Sequence, residues 1–249
     1  FGEGKMSSPR QIYKYLKNYF NNKNIVKKKN WKAIVTTGPT REYIDPVRYI
    51  SNESSGKQGC EVAIALNKLG IKTTLISGPS SLVFPKDLKV KKITSADEML
   101  NEVKKSLPAD LVVCAAAVTD FKPTENNKNK IKKEAIKLQK INFVKNYDIL
   151  EYVSKNNKHR PRLVAGFSAE TENVINNSVS KMKKKNCDII FANDVSQKDV
   201  GFNSDYNKIF VIEGKDKVKI IPKNKKSFIA NKIAEILLDK LLTNDKNIN

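Results

Sequence analysis

The sequence predicts a three-layer α/β domain built on a doubly wound, mostly parallel, Rossmann-like sheet, with an edge hairpin and a mobile basic flap. From residue 32 onward, short apolar β-branched runs alternate with amphipathic stretches of helical period, the pattern of βαβ units. After its first residue, the run 110–117, DLVVCAAA, is wholly apolar, as expected for a strand covered on both faces of a parallel sheet.

Residues 1–31 read as a leader: FGEGKMSSP, a short amphipathic helix over 11–20, and the basic linker NNKNIVKKKNW. The domain proper spans 32–242 and opens with a strand at 33–37. A helix over 56–69 places Val62, Ala63, Leu66 and Leu69 on one face and stops at Gly70. Next comes a strand at 72–77. In the capping box from Ser95 to Glu98, each side chain satisfies the other residue's backbone N–H at a helix start, and that helix runs to about Leu107. After the strand 110–117, the segment 122–140 breaks the rhythm with a polar, heavily charged stretch. Regularity resumes with a strand at 162–167, a helix at 173–185 and an apolar strand at 188–192. Residues 209–212 and 218–221, joined by EGKDK, form the edge hairpin. An amphipathic helix over 227–242 closes the domain, and 243–249 is a tail.

With 249 residues, 39% of them hydrophobic, the chain is long enough to bury a full core. No apolar run approaches the roughly 20 residues that cross a bilayer, and the charged-then-apolar layout of a secretory signal is missing, so a cytoplasmic location is expected. Cys60, Cys114 and Cys187 are odd in number, far apart and set among apolar residues, which favours buried free thiols over disulfides or zinc. The single histidine, His159, lies in a Lys- and Asn-rich connector and reads as a solvated side chain. A net charge of +21 admits a basic nucleic-acid-binding module as an alternative. The excess is lysine spread along the chain, however, with arginine only at positions 10, 41, 48, 160 and 162. Arginine reads and stacks on bases, so weak polyanion affinity is expected and specific nucleic-acid binding is not.

In a doubly wound sheet, ligands bind outside the carboxyl ends of the strands. Three segments leave such ends and fail to behave like short loops: 38–55, 118–133 and 168–172. They are expected to converge on one site. In the first, Ser54-Ser55-Gly56-Lys57-Gln58-Gly59 enters a helix with small residues, which suits a phosphate cradle and equally suits an ordinary helix start. Lys130-Ile131-Lys132-Lys133 reads either as a solvated charge run or as a flap able to fold over a polyphosphate. Phe167 reads as core or as a platform for a base. Lys181 and Lys185, one turn apart, can point to the same place. Asn193-Asp194-Val195 follows the last parallel strand and fits a plain turn equally well.

The motifs GPTREYIDPVRYISNESSGKQG, CAAAVTDFKP, KIKK, KNYDIL, GFSAET and ANDVSQKDVGFNSDYN, in this order over roughly residues 32–240, closely resemble the phosphopantothenoylcysteine synthetase family of the bacterial coenzyme A pathway. The resemblance implies an acid–amino acid ligase working in two steps. The carboxylate of 4'-phosphopantothenate attacks the α-phosphate of CTP, releasing pyrophosphate and forming an acyl-cytidylate. The amine of L-cysteine then attacks the acyl carbon and expels CMP. It further implies that Gly38, Ser54, Gly56 and Gly59 hold the triphosphate. The nucleotide pocket would be formed by Cys114, Ala115, Ala116, Asp120, Tyr147, Asp148, Ile149, Leu150, Phe167, Lys181 and Lys185. Lys130 would stabilise the α-phosphate, and Asn52 would act on the acyl-cytidylate, chiefly in the second step. Arg48 would meet the substrate phosphate across a homodimer, with Ala116, Ala117 and Asp120 also on the substrate side. Magnesium would travel on the triphosphate. An ATP-using member of the same family is the nearest alternative.

Two positions depart from the family's pattern. Asn146-Tyr147-Asp148 stands where Asn-Pro-Asp is usual, and Cys114 occupies a small-residue position where only the main chain is expected to act. The leader GEGKMSSP resembles the end of the decarboxylase domain to which this synthetase is usually fused, so the chain is expected to be the synthetase half of a bifunctional protein.

Overall fold

In a computed structural model, the chain is described at residues 6–125, 127–132, 141–156, 158–196 and 204–246. Helix α1 (Pro9–Lys29) is longer than the 11–20 expected. Ser8 and Gln11 form a capping box at its start, proline takes the first turn, and no breaker intervenes before Asn30 turns left-handed at φ 54°. Val26 of α1 and the following Trp31 are buried in the domain core, so the packing begins inside the expected leader.

The remaining elements are β1 (Lys32–Thr37), β2 (Arg41–Asp45), β3 (Arg48–Ser51), α2 (Lys57–Lys68), β4 (Lys72–Ser77), β5 (Lys89–Lys92), α3 (Ala96–Ser106) and β6 (Leu111–Cys114), followed by β7 (Phe121–Pro123), β8 (Phe143–Lys145) and α4 (Ile149–Ser154). The chain then continues with β9 (Leu163–Glu170), α5 (Val174–Lys185), β10 (Ile189–Asp194), β11 (Tyr206–Ile212), β12 (Val218–Lys225) and α6 (Lys226–Lys246). Among the described residues, eight strands form the main sheet in the order β12-β11-β10-β9-β6-β1-β4-β5. The six from β10 to β5 run parallel, and β11 and β12 extend the sheet antiparallel.

Side chains alternate across the central strands. Val35, Val113, Ala165 and Phe191 join one core layer with α2 and α6. Ile34, Val112, Val164 and Ile190 join the opposite layer with α3, α4 and α5. Each fully buried aliphatic side chain contributes about 1.5–3 kcal/mol, so these two layers dominate the stability. The three-layer doubly wound class predicted from the sequence is the one observed.

Several elements differ from expectation. β6 ends at Cys114 instead of Ala117, because Ala115 and Ala117 turn across the end of β1 and donate backbone hydrogen bonds to Thr36 O and Gly38 O. β9 runs on to Glu170. α6 extends to Lys246, into the expected tail. The segment 38–55 holds the β2–β3 hairpin. β5, with the sequence KVKK, is a charged edge strand lacking the alternation that marks half-buried strands. α4 is only six residues long, and its sole signal was Asp148, which caps it by accepting from Glu151 N at 2.8 Å.

From β1 the chain proceeds to β4 and β5 on one side and then returns to β6 on the other. β1 and β6 therefore flank the switch point, and their carboxyl ends open a crevice.

Candidate functional site

The floor of the crevice is set by close backbone packing. Thr37 Oγ1 donates to Gly56 O at 2.6 Å, which ties the end of β1 to the start of α2. Gly56 has φ +74°, and a Cβ there would press on Gly38 Cα and N at 3.1 Å. Only glycine accepts both the left-handed backbone and that approach. The loop at residues 54–57 then turns back on itself, Gly56 N donating to Ser54 Oγ and Lys57 N to Ser55 Oγ.

Above this floor lies a cavity of about 420 Å³. Its lining includes Asn52, Ser54, Gly56 and Gly59 from the β1–α2 connection, Ala115, Ala116, Ala117 and Asp120 after β6, Phe167, Ser168 and Ala169 within β9, and Lys181. A second hollow of about 150 Å³ adjoins it, lined by Cys114, Tyr147, Asp148, Ile149 and Leu150. The two share Ala116, Val118, Asp120, Phe167 and Lys181. Residues of all three segments therefore meet at the switch point: Asn52 to Ser55, Val118 and Asp120, and Ser168 and Ala169, the last two as part of β9.

Four of the expected site residues line neither hollow. Gly38 is buried beneath the cradle at φ +75°, packed on Gly78. Arg48 is bound to the fully buried Asp45 carboxylate and donates to Ile131 O at 3.0 Å. The Arg48 guanidinium, more than any other group, holds the Asp45 carboxyl far below the usual range. Lys130 is exposed next to Ile131. The described part of the basic segment lies along the β2–β3 hairpin and not over the cavity, because Asn127 N donates to Ile44 O and Ile131 N to Asp45 Oδ2. Residues 126 and 133–140, which include Lys133, lie outside the described residues.

Lys185, the fourth, is separated from Lys181 by its partners. Lys181 Nζ donates to Phe167 O at 3.2 Å, whereas Lys185 Nζ bridges Asp148 and Glu151 at 2.8 Å each. Lys185 therefore braces the turn that carries Tyr147 and Leu150. Glu151, paired first with Lys155 and then with Lys185, has its carboxyl lowered to about 2. A lowered carboxyl stabilises the fold above its unfolded value near pH 4.3 and loses that contribution as pH falls through about 2. The stability difference between the parent and Glu151→Gln is therefore expected to shrink as acid unfolding, followed by circular dichroism, is carried from about pH 4.3 down to about pH 2. A constant difference across that window would refute this pairing.

Phe167 fills both of its readings: its ring packs 5.4 Å from Phe191 in the core while also lining both hollows. Cys60 and Cys187 are buried and Cys114 is partly buried, all three as free thiols. Burial raises the Cys60 thiol to about 11, the Cys187 thiol to about 12 and the Cys114 thiol further still, which removes nucleophilic character at neutral pH.

The sequence reading missed a polar web under the site. Thr119 N donates to Thr40 Oγ1, Thr119 Oγ1 to Glu42 Oε1, and Ala96 N to Glu42 Oε1, so the hairpin, the loop after β6 and the start of α3 move as one. Lys57 and Gln58, read only as members of the cradle, line the cavity, as does Lys226, which was missed, while Asn193 lines the cavity and is more than a plain turn. Nothing in a lysine-rich chain distinguished Lys226. Among the described residues, no helix is long and apolar enough to cross a membrane.

Residues 28–241 match the model of the DNA/pantothenate metabolism flavoprotein C-terminal domain. The chain is 40% identical over 237 residues to the coenzyme A biosynthesis bifunctional protein CoaBC of Haemophilus influenzae, covering 95% of this chain and 58% of that protein. It is likewise 40% identical over 245 residues to CoaBC of Escherichia coli, covering 97% of this chain and 58% of that one. The chain thus spans under two thirds of the length of these relatives. Among solved structures, the C-terminal domain of a CoaBC protein superposes with a TM-score of 0.71 at 30% identity, over 86% of this chain and 96% of that chain. A Cab2 mutant in complex with phosphopantothenate-cysteine shares the fold at 14% identity and a TM-score of 0.72, over 96% of this chain and 97% of that chain.

Proposed function

The chain belongs to the DNA/pantothenate metabolism flavoprotein C-terminal domain family, and we propose that it is a phosphopantothenate–cysteine ligase that activates 4'-phosphopantothenate with CTP. The observation that carries this reading is the pair of adjoining hollows at the switch point. One is walled by small side chains and the start of α2, whose positive dipole end suits phosphates. The other is smaller and walled by Phe167, Ile149 and Leu150, which suits a single-ring base better than a double one.

In this arrangement the substrate supplies the nucleophile, so the protein's contribution is positioning and charge. Ser54, Gly56 and Gly59 hold the triphosphate, and Asp120, Phe167, Lys181 and the turn from Tyr147 to Leu150 orient the nucleoside. Ala117 and Asn52 face the acyl arm, with Asn52 Nδ2 already donating to Val118 O at 3.0 Å. Lys130 meets the α-phosphate once the segment around Ile131 leaves the β2–β3 hairpin and folds over the cavity. Among the described residues, no three His, Cys, Asp or Glu side chains cluster to hold a metal. Magnesium fits as an ion carried on the triphosphate oxygens, where it neutralises phosphate charge, with Asp120 and Glu53 the carboxylates lining the cavity.

A homodimer completes the reading. The β2–β3 hairpin exposes Val47 and Tyr49 and sets Arg41 over the Tyr49 ring at 4.5 Å, a surface suited to a second copy that would receive Arg48. Fusion to or association with a decarboxylase domain belongs to the same proposal, supported by relatives that are bifunctional proteins of which this chain covers 58%.

The test is to incubate the protein with 4'-phosphopantothenate, L-cysteine and magnesium, adding CTP in one arm and ATP in the other. CTP is expected to give pyrophosphate, CMP and the cysteine amide at a rate at least about tenfold above ATP, the discrimination of one well-placed contact. Equal rates would assign the ATP-using alternative, and absence of pyrophosphate in both arms would reject the ligase.

A further inference from the structure

The wall of the large cavity opposite the nucleoside side comes from the far end of the chain. Lys226, the first residue of α6, lines it and is only 3% exposed. Lys57, at the start of α2, lines the same cavity, its Nζ held by Asp205 at 2.5 Å. Gln58 and Asn193 stand between them, linked through the buried Asn207, whose Nδ2 is 3.3 Å from Gln58 Oε1 and 3.2 Å from Asn193 Oδ1. Gln58 Nε2 also donates to Lys226 O at 3.4 Å, which fixes α6 against the cradle.

We propose that Lys226, with Lys57, binds the terminal two phosphates of the nucleoside triphosphate and takes up the charge of the pyrophosphate that leaves. This rests on the ligase reading for the departure step and on the cavity alone for diphosphate binding. When the carboxylate oxygen attacks the α-phosphorus, one P–O bond forms and the bond to the β-phosphate bridging oxygen breaks. The electron pair and the new negative charge go to that oxygen of pyrophosphate. Placing two lysines at that end divides the work: Lys130 acts where the bond forms, and Lys226 acts where the charge departs.

Geometry and electrostatics agree. Lys226, Lys57 and the start of α2 line one cavity, so two ammonium groups and a helix N-terminus are available to the same polyanion. Burial first and the Lys57 charge second hold the Lys226 ammonium down to about 8, opposed by Asp205. A bound diphosphate raises that value, so binding at about pH 8.5 takes up a proton.

The experiment is calorimetric titration of the chain with inorganic pyrophosphate, CTP and CMP at about pH 8.5, in two buffers of different ionisation enthalpy. For the parent, pyrophosphate and CTP are expected to bind with proton uptake and CMP without it. Lys226→Met is expected to weaken pyrophosphate and CTP roughly ten- to hundredfold, to abolish the uptake, and to leave CMP within about twofold. Lys226→Arg should keep most of the affinity without the uptake. Lys57→Met, at a half-exposed position, should lose at least about threefold in pyrophosphate affinity and carries the test should the buried variant not fold. Pyrophosphate affinity unchanged in both methionine variants, or no pyrophosphate binding by the parent, overturns the proposal. Lysine-dependent pyrophosphate binding without turnover on CTP or ATP would overturn the ligase reading and leave this one standing.

Discussion

Lys130→Gln is expected to lower pyrophosphate release from CTP and 4'-phosphopantothenate by roughly 10²–10³, the cost of removing one charged group from a developing oxyanion. Glutamine is one atom shorter but retains hydrogen-bonding capacity, so the loss chiefly reports charge. Ile131, the next residue, is tied through its backbone to Asp45 and Arg48, which places Lys130 at a defined edge of the β2–β3 hairpin. Asn52→Asp should separate the two steps. In the free protein, the Asn52 amide donates to Val118 O. An aspartate cannot donate and brings a negative charge beside an acyl phosphate, so the intermediate forms but passes poorly to cysteine. A rapid-quench experiment without cysteine, following the acyl-cytidylate, reads the first step alone; adding cysteine then reads the second. Equal loss of both steps in both variants contradicts the assigned roles.

Gly78→Ala is expected to destabilise the fold by about 3 kcal/mol, the upper end for overpacking a rigid site. For a domain of this size, that lowers the midpoint of thermal unfolding by roughly 6–12 °C. A methyl group at Gly78 would overlap the Pro39 carbonyl oxygen and stand 2.9 Å from its carbon. Both are backbone atoms with no side chain to swing away. Gly78 N also donates to Thr37 O at 2.9 Å, so the loop after β4 cannot retreat without loosening the end of β1. Because Gly38 and Gly56 pack on the same strand end, the substitution should weaken nucleotide binding as well. A variant that melts within about 2 °C of the parent contradicts this backbone-to-backbone packing.

How much of this was legible depended on the range over which each feature is encoded. The alternation of Ala33, Ile34 and Val35, and of Leu111, Val112 and Val113, is written in adjacent residues and announced two covered faces before any fold was seen. The helix starts at Ser95 and at Gly56 were likewise local signals. The β2–β3 hairpin was not, because Arg41–Asp45 and Arg48–Ser51 are short and polar and are held in place by contacts far along the chain, Glu42 with Thr119 and Asp45 with Ile131.

The sequence by itself determined the layers, the helix starts and, through resemblance, the two ends of the nucleotide site. Only the tertiary structure decided which charges face the cavity. Lys181 and Lys185 are one turn apart on α5, yet one meets the Phe167 carbonyl and the other two carboxylates of the α4 start. Arg48 is engaged by a buried aspartate three residues away, and Lys226 reaches the cradle from the last helix. Periodicity follows from neighbours within a turn or a pleat, whereas the partner a lysine or arginine takes depends on which distant strands the sheet order brings side by side.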